Sequence, residues 1–287
     1  MLILLSIGLF GCGGGKAETT ASADGNLEIK VFNVGQGDAI LIRKSGQTIL
    51  IDTSDLDEHE KFRRELKKAG VTVIDKLIIT HPHADHLGGV SVLFKDFTVK
   101  AVYDNGLPAT AKFYRDYLKV IKNKKIPYKQ LTAGEILNLA PEVNFEVLSP
   151  LREYIESGAK NKQGKVDYNG SSIAGRLTFG NFAIMLTGDL ETAGESQIVK
   201  NKAANLKCQV LKAGHHGSKT SSSDKFLRAI GADAVVISCG SGNDYGHPHQ
   251  QALKRFEKNK LKIYRTDENG TVTIISDGKS YSIKGEK

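Results

Sequence analysis

The chain has 287 residues, 40% hydrophobic and 25% charged, with 30 glycines and a formal net charge of +8. That is enough apolar content for a sizeable core in one large domain or two small ones, and the balance is that of a globular α/β protein with many turns. The charge mildly favours anionic partners such as nucleic acid, anionic lipid or wall polymers, and the three cysteines, none in C-x-x-C spacing, exclude a zinc knuckle or dithiol redox motif.

Met1 to Phe10 is a short apolar run, too short to span a bilayer as a mature helix. It leads into Leu9-Phe10-Gly11-Cys12, which resembles a bacterial lipobox. Residues 1–12 are therefore expected to be a lipoprotein signal peptide whose cleavage leaves Cys12 as the lipid-bearing first residue. The alternative is an uncleaved anchor or a start assigned at the wrong residue. Residues 13–25 are small and polar with no apolar period, which predicts a flexible tether. Residues 26–287 are left as the folded domain, expected to be held at the outer face of the cell membrane.

From Leu27 to Val34 apolar and mostly polar residues alternate, predicting a strand. Strands over 39–42 and 47–51 follow, the latter ending at Asp52, and helical spacing runs from Glu58 to Ala69. The apolar run Leu77-Ile78-Ile79 leads directly into Thr80-His-Pro-His-Ala-Asp-His86-Leu-Gly-Gly89. Three imidazoles and a carboxylate within six residues suit a borderline-soft divalent metal. The turn through Pro82 aims His81 and His83 at one ion, and Asp85 and His86 reach a second. Seven of the eight histidines fall in three clusters, 81–86, 215–216 and 247–249, and scattered surface histidines would not do so.

Beyond the motif, a helix is expected over 90–94, a strand over 99–103 and a helix over 111–123. Strands over 128–131, 135–139 and 144–148 follow, then a polar loop from Arg152 to Asn169. Paired strands over 172–179 and 182–186 lead to Thr187-Gly-Asp189, where Asp189 is the natural carboxylate bridge between two metals, with a helix N-cap as its bland alternative. The chain closes with a helix near 193–200, a strand over 208–211 leading to Gly214-His-His-Gly-Ser218, a helix over 223–230, a strand over 234–238, a helix over 250–259 and short final strands. One histidine from each of the pairs 215–216 and 247–249 is expected to ligate, with His249 read as a helix-start residue. Cys208 and Cys239 lie at predicted strands and are read as buried free thiols rather than a disulfide.

These motifs, in this order, resemble the metallo-β-lactamase fold, and within it the hydrolase domain of ComEC-type competence proteins. The matching residues are Asn33-Val-Gly-Gln-Gly-Asp38, Leu50-Ile-Asp52-Thr, the segment 80–89, Asn169-Gly-Ser-Ser172, Leu186-Thr-Gly-Asp189, Gly214–Ser218 and Tyr245-Gly-His-Pro248. The resemblance covers residues 27 to about 280. It implies an α/β, four-layer αββα sandwich with two divalent ions, zinc or manganese. His81 and His83 would hold one ion, with Asp85, His86 and His247 on the other and Asp189 bridging. Asn169 or His215 would complete the first site, with His215 preferred. His216, Ser218 and the amides around Gly217 would face substrate, Asp85 and His216 would be the catalytic pair, and Asp52 would orient a ligand imidazole.

Two such ions activate a shared water and clamp the attacking and leaving oxygens. Asn169, Ser171, Ser172, Ser218 and Lys219 add neutral donors and a cation suited to phosphate oxygens. The expected activity is hydrolysis of a phosphodiester, foremost DNA, with wall or lipid head groups as the alternative and a lactone or β-lactam behind both. A role in DNA uptake would need a separate channel as partner. Basic runs at Lys119, Lys122, Lys124, Lys125 and Lys129, and at Lys200, Lys202, Lys207 and Lys212, would either track a polyanion or form solvated helix faces. Aromatic interleaving is thin, with Tyr114, Tyr117 and Tyr128 near the first run and no tryptophan, so the sequence gives no support for base stacking.

Overall fold

A computed structural model describes residues 25–201 and 205–287. The signal-peptide and tether readings, Cys12 included, and Lys202 lie outside the described residues. Two large sheets face each other. The eight-stranded sheet runs in the order Tyr281–Gly285, Val272–Ser276, Leu27–Val31, Ile40–Lys44, Gln47–Ile51, Lys76–Ile78, Val102–Asp104, Tyr128–Gln130. The seven-stranded sheet runs Lys262–Arg265, Ala234–Ile237, Val210–Lys212, Phe182–Leu186, Ala174–Phe179, Val143–Ser149, Ile136–Ala140.

The period-2 pattern of the strands decides what each sheet face covers. On Ile40–Lys44, Ile40 and Ile42 enter the core between the sheets, together with Ile29, Phe145, Ile184 and Val236. Leu41, between them, points outward with Leu50 and Leu77 against Phe62, Leu66, Leu93 and Tyr117. Those last residues sit on the helices His59–Lys68, Val90–Asp96 and Lys112–Lys124. On the far side, Met185, Leu211 and Val235 pack against Ile198, Phe226 and Phe256, which belong to the helices Thr192–Lys200, Asp224–Ile230 and Gln250–Lys258. The result is helix, sheet, sheet, helix. Each fully buried Leu, Ile or Phe contributes about 1.5–3 kcal/mol, so three apolar clusters dominate the stability.

Both sheets contain a parallel block, and this places the site. Gln47–Ile51, Lys76–Ile78 and Val102–Asp104 are parallel, as are Phe182–Leu186, Val210–Lys212 and Ala234–Ile237. Each block therefore sends its carboxyl-end loops to one edge, where Asp52, His81, Asp189, His215, His216 and Ser238 emerge. The segment expected as a plain loop after Arg152 opens with a helical turn, Arg152–Glu156. A further short helix, Ala84–Leu87, lies inside the histidine motif itself. Cys208 and Cys239 are free and buried. Among the described residues no helix is long and apolar enough to cross a membrane.

Candidate metal centre

The motif after Ile78 turns at once into the helix Ala84–Leu87, and this puts His81 and His86 side by side, their ring centroids 4.1 Å apart. Both are fully buried, as is Asp189. Asp189 follows Gly188, whose φ is +48° and whose added Cβ would stand 3.0 Å from the Thr80 side chain. Only glycine lets the two sheets' loops close this tightly. Asp189 Oδ1 lies 3.1 Å from His86 Nε2 and 3.5 Å from His216 Nε2. Asp189 Oδ2 lies 3.7 Å from His215 Nε2 and 3.9 Å from His81 Nε2. One carboxylate thus presents its two oxygens to two different pairs of imidazoles.

Around Oδ1, the donors of Asp85, His86, Asp189 and His216 all lie within 4.8 Å of one another. Asp85 Oδ2 is 3.2 Å from His216 Nε2 and 3.8 Å from His86 Nε2. Around Oδ2, His81 Nε2 is 3.0 Å from His83 Nδ1, and His215 completes the ring. Of the two candidates for that place, Asn169 stands behind His215, with its Nδ2 3.5 Å from His215 Nδ1. The consecutive pair His215 and His216 serves both groups because both adopt left-handed backbone, φ 49° and 52°. Such conformations in non-glycine residues are strained and mark sites where the surroundings enforce them.

Four of the five imidazoles aim Nε2 inward and are fixed through Nδ1. Asp52 Oδ2 lies 2.7 Å from His86 Nδ1, while its Oδ1 accepts from the Thr80 amide at 2.8 Å. His216 Nδ1 donates to the Ser238 carbonyl at 3.0 Å. Glu191 Oε1 lies 3.3 Å from His215 Nδ1, and His81 Nδ1 has Ser172 Oγ at 3.3 Å. Such partners fix ring orientation and tautomer, and carboxylates raise donor strength. Asp52 thus has the orienting contact expected of it. Asp189 is not a helix N-cap, a place taken by Glu191.

Several expected positions differ. His216 is 1% exposed and belongs to the donor group rather than to an open face. His247 is absent from that group, its ring stacked 6.2 Å from that of His216. Ser171 and Ser172 are fully buried. Ser171 Oγ donates to the Tyr168 carbonyl at 2.7 Å, and Ser172 Oγ accepts from the Asp189 amide at 3.2 Å. Both brace the centre and neither can meet a substrate. Ser218, also buried, bonds Thr220 Oγ1 at 3.0 Å. Lys219 is exposed. Lys212, counted with a basic surface run, is fully buried and paired with Asp38, and Tyr114 and Tyr117 are core residues. His249 does begin a helix, and its Nδ1 accepts from the Lys219 amide at 3.1 Å. Sequence reasoning gave no role to Glu191 or to Asp38. Asp38 sat in a motif already singled out, whereas Glu191 carried no signal of its own.

The charge balance calls for cations. Burial pushes the Asp189 carboxyl up, but His86 and His216 outweigh it and hold the group well below the usual carboxylate range. Burial pulls His86 down, yet Asp189, Asp52 and Asp85 drive it well above an ordinary imidazole. Three carboxylates converging on a buried ring demand positive charge there, and without a metal a proton supplies it. Asp189 Oδ1 and His86 Nε2 are buried without hydrogen-bond partners, as expected of atoms reserved for a ligand. Mixed imidazole and carboxylate donors suit divalent metals, so the residues present fit such a centre.

A helix–sheet–sheet–helix sandwich with this donor cluster at the strand ends defines a metal-dependent hydrolase. Residues 32–241 match the profile of the metallo-beta-lactamase superfamily, and the chain belongs to that superfamily. It is 31% identical over 264 residues to ComE operon protein 3 of Bacillus subtilis (strain 168), covering 85% of this chain and 32% of that protein. It is 31% identical over 253 residues to competence protein ComA of Neisseria gonorrhoeae, covering 88% and 33% respectively. The chain thus spans about a third of the length of these curated relatives. Among solved structures, YhfI from Bacillus subtilis, a metallo-beta-lactamase fold protein, superposes with a TM-score of 0.54 at 11% identity, covering 83% of this chain and 96% of that one. The diiron beta-hydroxylase CmlA from Streptomyces venezuelae superposes with a TM-score of 0.55 at 12% identity, covering 85% and 53%. Both likenesses are of fold.

Proposed function

We propose that this chain is an exported, membrane-anchored phosphodiesterase that hydrolyses DNA at a two-metal centre. The observation that carries the hydrolytic reading is Asp189, whose two oxygens face separate donor groups. Asp85, His86, Asp189 and His216 would hold one ion, and His81, His83, Asp189 and His215 the other. Bound there, the ions supply Lewis acidity and a nucleophile generated from water. The chain's own residues do the rest. Asp52, Glu191, Ser172 and the Ser238 carbonyl hold the imidazoles in register. Lys219, exposed and without an ion pair among the described residues, would serve as a cation for a phosphate oxygen. Next to His215 a cleft of about 600 Å³, lined by Tyr154, Lys160, Lys162, Asp167 and Glu191, has room for the flanking polymer.

The DNA assignment rests on the two competence-named relatives and the net charge of +8. Export and anchoring rest on the apolar leader ending at Cys12, lipidated at that cysteine. A role in uptake would involve a separate channel. The test is to strip the protein of metal, restore zinc or manganese, and assay single-stranded DNA, plasmid DNA and bis-p-nitrophenyl phosphate. Metal-dependent DNA cleavage is expected. Turnover of the small diester alone would move the substrate to wall or lipid head groups, and failure on all three with metal bound would overturn the phosphodiesterase reading. Metabolic labelling with a fatty acid, lost on Cys12→Ala, checks the anchor.

A further inference from the structure

We infer that Tyr245 and Tyr168 are stacking platforms for unpaired bases beside the metal centre, so that the centre takes a single strand; this rests on the phosphodiesterase reading above. Tyr245 is 65% exposed, yet its ring is held against His247, with centroids 5.7 Å apart and planes 20° from parallel. Its hydroxyl has no hydrogen-bond partner among the described residues. An exposed tyrosine with no packing role normally adopts no fixed orientation, because ordering it costs rotamer entropy. Here the loop that carries it is pinned from within. Asn243 Nδ2 donates to the carbonyls of Gly240 at 2.8 Å and His247 at 2.6 Å, and Asn243 Oδ1 accepts from the His247 amide at 3.0 Å.

Tyr168 stands at the other cluster, its ring edge-on to His83 at 5.4 Å and its hydroxyl donating to the Pro108 carbonyl at 3.3 Å. Tyr168 therefore lies one ring beyond a donor of the centre, and Tyr245 one ring beyond His247, which itself stacks on His216. On the Tyr245 side the row of rings continues from His247 to His249, 4.8 Å away, and His249 Nδ1 accepts from the amide of Lys219. Aromatic faces beside a phosphate-binding cation are how proteins hold nucleotides without reading their sequence. A base can offer its face to a tyrosine only when it is unstacked, which a duplex does not allow without unpairing. Tyr245 stands in the motif Tyr245-Gly-His-Pro248 and Tyr168 directly before Asn169, but the sequence alone gave neither a role.

The test uses the metal-loaded protein with three substrates of equal length: oligothymidylate, an abasic strand and a blunt duplex. The expected result for Tyr245→Ala is a KM for oligothymidylate raised about tenfold, with kcat little changed and the abasic strand unaffected. Tyr245→Phe should behave as wild type, and Tyr168→Ala should show the same pattern as Tyr245→Ala. Fluorescence anisotropy with the same strands reads binding apart from turnover. Binding that depends on the tyrosines without cleavage would sustain the platforms and remove the phosphodiesterase reading. Cleavage indifferent to Tyr245→Ala, an equal loss on the abasic strand, or a duplex bound as tightly as the single strand would overturn the platforms.

Discussion

The Lys212 ammonium, fully buried, lies 2.9 Å from Asp38 Oδ2 and donates to the Ala213 carbonyl at 3.0 Å. Lys212 ends a strand of the seven-stranded sheet, and Asp38 precedes a strand of the eight-stranded one. The pair therefore ties the two sheets together directly behind His216, whose Nδ1 is 3.6 Å from Asp38 Oδ1. Removing one partner strands a buried charge. Lys212→Met is expected to cost about 3–5 kcal/mol, and adding Asp38→Asn to recover much of it. Urea melts of the two variants check this; equal stability of Lys212→Met and wild type would show that the pair carries no such weight.

The donor geometry exchanges the roles expected of two histidines, His247 as a ligand of the second ion and His216 as a residue facing substrate. His216 lies within the donor group and His247 outside it. His216→Ala should lower bound metal by about one ion per chain and reduce hydrolysis at least about a hundredfold, whereas His247→Ala should keep its metal. Asp189→Ala, which removes both oxygens, should abolish hydrolysis and deplete metal together. Metal content after dialysis, read by atomic emission, decides. A metal-replete, active Asp189→Ala would sink the two-metal assignment.

The sandwich was legible because its causes are local. Ile40 and Ile42 against Leu41 announce a strand covered on both faces, and Leu77-Ile78-Ile79 leading into three histidines announces a strand ending at a site. The first donors followed, since His81, His83, Asp85 and His86 are bound by one short turn. The division of labour between His216 and His247 was not legible. It depends on two consecutive left-handed residues at 215 and 216, and a left-handed conformation at a non-glycine residue is enforced by its tertiary surroundings rather than by local sequence. Ser171 and Ser172 misled for the same reason: a serine's chemistry is visible in sequence, but its burial is not.

The residues behind the imidazoles give a graded expectation. Asp52 is buried and holds His86 at 2.7 Å, while Glu191 is 37% exposed at its side chain and stands 3.3 Å from His215. Outer partners of metal ligands are worth about 10–100-fold in affinity or activity. Asp52→Ala should fall at the upper end and Glu191→Ala near the lower, because water can replace a partly exposed carboxylate. Metal affinity by competition with a chelator ranks the two, and the reverse order would mean that burial does not set the effect.

Asp104 offers a pH test away from the centre. It is buried, and accepts from Tyr117 Oη at 3.0 Å, Tyr128 Oη at 2.5 Å and the Gly106 amide at 2.7 Å. Burial raises its pKa above 3.8, more than the bonds from Tyr128, Gly106 and Tyr117 lower it. The folded protein therefore keeps this proton to higher pH than the unfolded chain does. The stability it contributes is fully present below the unfolded value and is lost as pH rises through the folded one. Asn at this position cannot ionise, yet still accepts through Oδ1 and can donate through Nδ2 to a tyrosine oxygen. The advantage of wild type over Asp104→Asn should accordingly be largest in acid and shrink on going from about pH 4 to about pH 8. Denaturant melts across that range measure the gap directly, and a gap that widened with pH would show that the carboxylate, rather than the neutral acid, is the form the fold prefers.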